Sequence, residues 1–358
     1  MWSLLILVAS LFVLVKASDI LVNGAATIAR FYGMSEFFIG TTLVALGTSL
    51  PELATSFMAS FTNHKGIIVG NIIGSNITNI TLILGLASVL LIMNIKQEYF
   101  EKKINLLVGT TVLFFILALD NSIGWTEGLL FLILFIWFIR KEKKTIPPPL
   151  EEKAQQLVTA LFGKKKKLKD LTTEEKEILK DIDYATFRSL KKNGIDLSKI
   201  IQLKHVGHGA KLICIALFAI TGIILSVKYL ISSAVDIATF LNINEEIIGM
   251  TIIAFGTSIP ELAVTFTSAK KNLPNILVGN LVGSNMANIL LVGGISALIS
   301  PLTITNYSLW STIPFMILMS IMFRNYIRTK GLSHILEGFT MLFFYALFIF
   351  FVMFTSII

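Results

Sequence analysis

Gly40–Ser56 reads GTTLVALGTSLPELATS and Gly249–Thr265 reads GMTIIAFGTSIPELAVT, with ten of 17 positions identical. A second pair follows each: Val69–Ile80 reads VGNIIGSNITNI and Val278–Ile289 reads VGNLVGSNMANI, with eight of 12 identical and the same offset of 209 residues. Both copies of the first motif set Gly-Thr-Ser-x-Pro-Glu inside an apolar stretch. Proline lacks an amide donor and clashes with the preceding turn, so the sequence predicts helix breaks near Pro51 and Pro260. Such breaks are expected to free carbonyls of residues such as Ala45, Thr48, Ala254 and Thr257.

The surrounding composition says where these breaks lie. Of 358 residues, 54% are hydrophobic and only 15% charged, against about 25% charged in soluble domains. Mean hydropathy is +0.79. One cysteine, Cys214, excludes an intrachain disulfide framework and multi-Cys metal sites. A soluble enzyme, a disulfide scaffold and a disordered tail protein are all excluded as classes. Between Arg140 and Lys211 lie 18 of the 30 Lys and Arg and 10 of the 22 Asp and Glu, so the net charge of +8 belongs to that segment alone.

About 20 apolar residues cross a bilayer as a helix. Ten such stretches are read at 2–30, 36–62, 66–93, 104–120, 123–140, 210–240, 246–269, 275–299, 303–323 and 334–357. The expected fold is an all-α polytopic membrane protein, ten transmembrane helices arranged as two inverted five-helix repeats with discontinuous helices. Residues 1–140 form the first repeat, 141–209 a basic insertion and 210–358 the second repeat. An odd number of spans per repeat makes the second copy enter from the opposite side, an architecture shared by many secondary transporters. The first stretch is read as a span, not a cleaved leader. With the insertion cytoplasmic, Lys and Arg concentrate in the inside loops and only Lys65 falls outside, which places both termini outside; the expected location is the plasma membrane.

At membrane depth, irregular backbone survives only where buried in protein or lining a cavity, and an ionisable residue there marks a functional site. Glu52 and Glu261, freed carbonyls, Ser and Thr hydroxyls and Asn amide oxygens are all hard donors, the set that Ca²⁺ takes six to eight of. Inverted symmetry brings the two motifs face to face near the midplane, where one divalent ion would bridge the two glutamates. Asn71, Ser75, Asn76, Asn79 and Asn280, Ser284, Asn285, Asn288 add to this shell, and Gly70, Gly74, Gly279 and Gly283 allow close helix approach. For Asn76 and Asn285, ligation and interhelical bonding stand level; for Asn79 and Asn288, ligation leads. Soft ligands are missing, which disfavours Cu, Zn and iron.

On these motifs, GTSLPE with GNIIGSN and GTSIPE with GNLVGSN, the chain resembles the cation/calcium antiporter superfamily, most closely its prokaryotic sodium/calcium exchangers. The resemblance implies a secondary antiporter, not an enzyme, exchanging Na⁺ for Ca²⁺ by alternating access. It implies no resident cofactor, with Ca²⁺ and Na⁺ bound only as transported ions. Glu52 and Glu261 would be the calcium-ligating carboxylates, helped by the Thr48 and Thr257 carbonyls. Ser49, Ser258, Ser75, Ser284 and the carbonyls of Ala45 and Ala254 would hold sodium, with Asn79 and Asn288 flanking the centre. Many members carry Asp at the place of Asn288, so this chain has two acids where those have three. The family's three Na⁺ per Ca²⁺ would move net charge, with the first and sixth spans shifting against the rest. The alternative within this fold is a Ca²⁺/H⁺ antiporter.

The remaining features are read more plainly. Lys16 and Asp19 are expected to pair, or the lysine to snorkel to the interface. Glu36, Glu127, Glu245, Glu246 and Glu337 fall at span ends and are expected to be solvated. In the insertion, Pro147–Pro149 marks a stiff exit, and Lys164–Lys167 is a basic cluster for which anionic lipid contact and simple solvation stand level. Thr172–Asn193 reads as an amphipathic helix with a Thr172/Glu175 capping box. His205 and His208 lack further ligands, and nucleic acid is not an expected partner; the bilayer is.

Overall fold

The computed structural model describes residues 2–31, 44–90, 97–143, 209–270, 274–328 and 335–354. The basic cluster, the 172–193 helix and the two histidines of the insertion lie outside the described residues. The first half comprises α1 (Trp2–Phe31), α2 (Val44–Thr48), α3 (Leu50–Phe61), α4 (Lys65–Thr78), α5 (Leu84–Leu90), α6 (Gln97–Leu117) and α7 (Trp125–Lys143). The second comprises α8 (Gly209–Leu241), α9 (Glu245–Ile248), α10 (Ala254–Thr257), α11 (Ile259–Lys270), α12 (Pro274–Met286), α13 (Gly293–Ile299), α14 (Ile313–Arg328) and α15 (Ile335–Phe354). Wide π-helical turns fill Asn79–Ile83, Gly249–Ile253, Ala287–Val292 and Ser308–Thr312. Five described helices are long and apolar enough to cross a membrane, or six when the bent pair 245–257 and 259–270 counts as one span.

The packing obeys the 209-residue repeat. α1 lies along α8, and α6 along α14, so each pairs with its own equivalent. α5 packs on α15 while α13 packs on α7, one contact being the image of the other. Thr111 and Ser320, equivalent residues, face each other with hydroxyls 3.5 Å apart. Helices in lipid gain little from apolar burial against one another, so small residues and close contact must hold them. A Cβ on Gly70 would sit 2.3 Å from the Glu246 carbonyl oxygen, and one on Gly74 2.3 Å from that of Met250. This seats α4 directly on α9, α10 and the π turn between them. Around Gly279 the expected close approach is not seen: no described residue lies within 4 Å of a Cβ built there.

Loop contacts sort the helix ends. His64 pairs with Glu245 at 3.1 Å. The two-residue strands β1 (Ser122–Ile123) and β2 (Leu302–Thr303) pair antiparallel, Ser122 opposite Thr303. Asn121, held at φ 64°, donates from its side chain to the Ile304 carbonyl at 3.0 Å. At the opposite end of α6 and α14, Arg328 meets Glu101 at 3.1 Å. The loops preceding α4 and α9 thus meet each other, as do the loop joining α6 to α7 and the one after α13.

Two expectations about charged residues meet different outcomes. Lys16 is exposed, its ammonium 5.9 Å from the Phe12 ring. Glu246, expected to be solvated, is only 2% exposed. Its carboxylate accepts from the Thr305 hydroxyl at 2.8 Å and from the Ser308 hydroxyl. The helix that starts at Glu245 docks so closely on α4 that its first turn lies inside the protein, which is why position at a span end did not mean contact with water.

Candidate functional site

The two Gly-Thr-Ser-x-Pro-Glu motifs build matched kinks. The helix yields at Ser49 (φ −84°, ψ 7°) and at Ser258 (φ −82°, ψ 6°), two residues before each proline. Proline is tolerated in the first turn of the helix that follows, where its missing donor is an orphan anyway. Residues 245–257 and 259–270 are bent by 42°. The break does less to the backbone than expected at Ala254, whose carbonyl accepts from the Ser258 amide at 3.1 Å and the Thr257 hydroxyl at 3.3 Å. The kink comes from a dihedral change at one serine, which leaves that bond intact.

Each kink hands its side chains to the other half. Ser49 donates to a Glu261 oxygen at 3.3 Å, and Ser258 donates to a Glu52 oxygen at 3.2 Å. Thr48 donates to the Asn280 amide oxygen and Thr257 to that of Asn71, both at 3.3 Å. Thr48 also lies 3.2 Å from the Ser284 hydroxyl, while Ser75 donates to Asn71 at 3.4 Å. Asn79 donates across the halves to the Asn285 amide oxygen at 2.9 Å. Asn76 instead donates to the Ile72 carbonyl of its own helix at 2.8 Å. Thr48, Ser49, Glu52, Ser75, Asn79, Thr257, Ser258, Glu261, Ser284 and Asn288 thus fall in one buried zone, none more than 6% exposed. Ala254 is buried among them and Ala45 lies on α2.

Several polar atoms in this zone lack a partner. The second carboxylate oxygens of Glu52 and Glu261 are buried and unbonded, as are the Asn79 amide oxygen and both amide atoms of Asn288. Among the described residues no Lys, Arg or His pairs with either glutamate. A buried carboxylate must be neutralised, paired or bound to a cation. These unbonded oxygens from two acids and two asparagines are a donor set for a hard cation, Na⁺ or Ca²⁺ in chemistry. Among the described residues no group of three or more His, Cys, Asp or Glu gathers, so the acids number two.

Two features escaped the sequence reading. Asn71 and Asn280, expected as members of the shell, also join the halves by accepting from Thr257 and Thr48, a bond that their spacing of four from Ser75 and Ser284 does not announce. The π turns begin at Asn79 and at Ala287, beside Asn288, where a widened turn re-aims a side chain; π turns recur at functional sites. No residue-type signal announces them.

Comparison with known proteins identifies the family. The chain is 33% identical over 350 residues to the sodium/calcium exchanger MaX1 of Methanosarcina acetivorans, covering 97% of both. It is 30% identical over 271 residues to inner membrane protein YrbG of Escherichia coli, covering 75% of this chain and 71% of that one. The solved structure of the sodium-calcium exchanger NCX_Mj soaked with 100 mM Na⁺ and 10 mM Sr²⁺ matches with a TM-score of 0.58 at 26% identity, covering 96% of each chain. The model of one family, sodium/calcium exchanger protein, matches residues 2–140 and 211–354, the two halves that supply the cross-bonded glutamates. This multi-pass membrane protein is a member of the sodium/calcium exchanger protein family.

Proposed function

We propose that the chain is a secondary antiporter that exchanges Na⁺ for Ca²⁺, with Glu52 and Glu261 as the shared cation site. The observation that carries the reading is the reciprocal bonding of Ser49 to Glu261 and Ser258 to Glu52, each glutamate keeping a buried oxygen without a partner. As a member of an exchanger family the chain is a transporter, not an enzyme.

Two carboxylates carry −2. One Ca²⁺ neutralises them, and three Na⁺ would leave the site at +1, so exchange at that ratio moves charge and responds to voltage by about 2.3 kcal/mol per charge per 100 mV. Both ions draw on the same oxygens, so binding one excludes the other and coupling needs no separate device. The Thr48 and Thr257 carbonyls help the glutamates hold calcium; Ser49, Ser75 and the Ala45 carbonyl with their counterparts Ser258, Ser284 and the Ala254 carbonyl supply the sodium positions; Asn79 and Asn288 flank the centre. Alternating access comes from α1 and α8 sliding as a pair. Only a third of the apolar stretch of each is buried, against 94% of Lys65–Val89. The pair touches the site directly, since a Cβ on Gly256 would lie 2.5 Å from Leu11 of α1. Residues 1–140 and 210–358 act as the inverted halves; 141–209 and the basic Lys164–Lys167 face the cytoplasm, with both termini outside.

The test is ⁴⁵Ca²⁺ flux into vesicles holding the purified protein, with sodium, potassium and proton gradients imposed in turn. Uptake driven by sodium alone is expected. Uptake driven by a pH gradient without sodium would select the proton-coupled alternative, and no gradient-driven uptake would remove the antiporter reading.

A further inference from the structure

Glu246 is an acid that the cation site does not use. In the first repeat its equivalent, 209 residues earlier, is Phe37, so nothing in the repeat demands a carboxylate here. It is buried, and both its oxygens are engaged, one by Thr305 and one by Ser308. Those partners are themselves a helix start. The Thr305 hydroxyl accepts the Ser308 amide at 3.0 Å, its carbonyl accepts the Leu309 amide at 2.9 Å, and Thr312 donates to the Ser308 hydroxyl at 3.3 Å.

Glu246 also sits in the first turn of its own helix, where the Asn244 side chain accepts its amide at 3.0 Å. The carboxylate therefore lies at two helix N-termini at once, both of which favour negative charge. Beneath it, Gly66 and Gly70 bring α4 against its backbone, a Cβ on Gly66 lying 3.0 Å from the Glu246 nitrogen. From Glu246 one rigid run leads through the π turn Gly249–Ile253 and α10 to Thr257 and Ser258, about 16 Å along the axis.

We propose that Glu246 is a positioning residue for cation exchange: it fastens the starting end of the second broken helix to the turn that begins α14, and so sets where Ala254, Thr257 and Ser258 stand when a cation binds. It touches no ion itself. A hydrophobic side chain would keep the helix in its groove on α4 but release it from Thr305 and Ser308, letting the run slide along the glycines. The inference rests on the proposed cation site only for what is positioned; the fastening stands on the bonds above.

The experiment uses the full chain in vesicles and compares wild type, Glu246→Gln, Glu246→Leu, Thr305→Val/Ser308→Ala and the combination of the last two. Calcium is titrated separately on each face. Glu246→Leu is expected to weaken the apparent Ca²⁺ affinity by at least about fivefold from the face bearing Glu246, with a smaller change in maximal rate. Glu246→Gln, which keeps an acceptor, is expected to fall between, and the combined variant to be no worse than Glu246→Leu, because the partners act through one network. Amide hydrogen exchange over 249–258 is expected to speed up in Glu246→Leu without a matching change in 65–78. Unchanged affinity from both faces, or a loss of rate that only tracks the amount of folded protein, would overturn the proposal. If Glu246→Leu does not fold, Glu246→Gln and the hydroxyl variant decide by the same readings. If wild type moves no calcium, the proposed function fails instead, and faster exchange over 249–258 still decides for or against the fastening.

Discussion

Asn71 and Asn280 hold equivalent places 209 residues apart, yet their surroundings differ. Asn71 uses both ends of its amide: the oxygen accepts from Thr257 and Ser75, and the nitrogen donates to the Glu52 carbonyl at 3.3 Å and the Ser56 hydroxyl at 3.1 Å. Asn280 accepts from Thr48, while its nitrogen is buried without a partner. The same contrast recurs deeper: Asn79 donates to Asn285, whereas Asn288 bonds with nothing among the described residues. Matched side chains in unmatched bonding point to a difference of conformation, not of chemistry. Under the proposed alternating access, that difference would distinguish one access state from the other, the halves trading these bonds when access switches.

The glutamates are where the halves agree, and breaking the agreement should cost most. Glu52→Gln and Glu261→Gln each remove one of two buried charges that a divalent ion must balance. Each is expected to cut sodium-driven ⁴⁵Ca²⁺ uptake by at least about thirtyfold, in line with about 2–5 kcal/mol for deleting one member of a buried charged contact. The two losses should be alike, since each acid meets one serine of the other half. Full uptake by either variant would break the symmetry and the site together.

The glycines differ more than the acids do. Gly74→Ala would press a Cβ to 2.3 Å from the Met250 carbonyl oxygen and 2.6 Å from its Cα, contacts with backbone that cannot step aside. Overpacking of this kind costs about 1–3 kcal/mol or more, so a thermal unfolding midpoint in detergent should drop by several degrees. Gly279→Ala, with no described residue within 4 Å, should leave the midpoint within the error of wild type. Equal drops would show that α12 is packed as tightly as α4.

Much of this was legible in the sequence, for a physical reason: Pro followed by Glu inside apolar surroundings has few uses other than a broken helix with a buried acid, and a repeat of it fixes the partner. Which side chain bonds to which acid was not legible. Ser49 lies three residues before Glu52 in the chain, yet it serves Glu261, and that swap depends on how two kinks face each other. Glu246 was misjudged because parity along the chain predicts span ends, not whether a neighbouring helix with glycines closes over them. The equivalent Phe37 is the signal that such a position is apolar inside. The break at Ala254 was misjudged in the other direction, since proline two residues into a helix need not strip the turn before it.

Asparagine positions sharpen the comparison further. Asn79→Asp removes the amide that donates to Asn285 and sets a carboxylate against that residue's oxygen, whereas Asn288→Asp replaces an amide with nothing to lose. The first is expected to destabilise by about 1–3 kcal/mol, the cost of leaving a buried group unsatisfied. The second breaks no bond, so with calcium present to balance the new acid it should fold as wild type and strengthen calcium binding relative to sodium, because a third acid favours the doubly charged ion. Calcium and sodium competition curves, read beside unfolding, separate the two.

The subtlest effect tests whether the asymmetry is the transport state. Ser56 and Thr265 are equivalent, and Ser56 accepts from Asn71 while the Thr265 hydroxyl and the Asn280 nitrogen, their counterparts, are both buried and unbonded. When the halves exchange shapes, the bond from Asn71 to Ser56 should open and one from Asn280 to Thr265 should close. Each bond then stabilises one access state only. Ser56→Ala removes the bond present here and should tilt the balance toward the other state; Thr265→Val should tilt it toward this one. A neutral bond contributes about 0.5–1.5 kcal/mol, or roughly two- to tenfold in a population ratio. In vesicles of uniform orientation, the ratio of apparent calcium affinities on the two faces should shift one way for Ser56→Ala and the opposite way for Thr265→Val. Shifts of the same sign would mean that both hydroxyls serve packing alone and that the unequal bonding of the halves is fixed rather than exchanged.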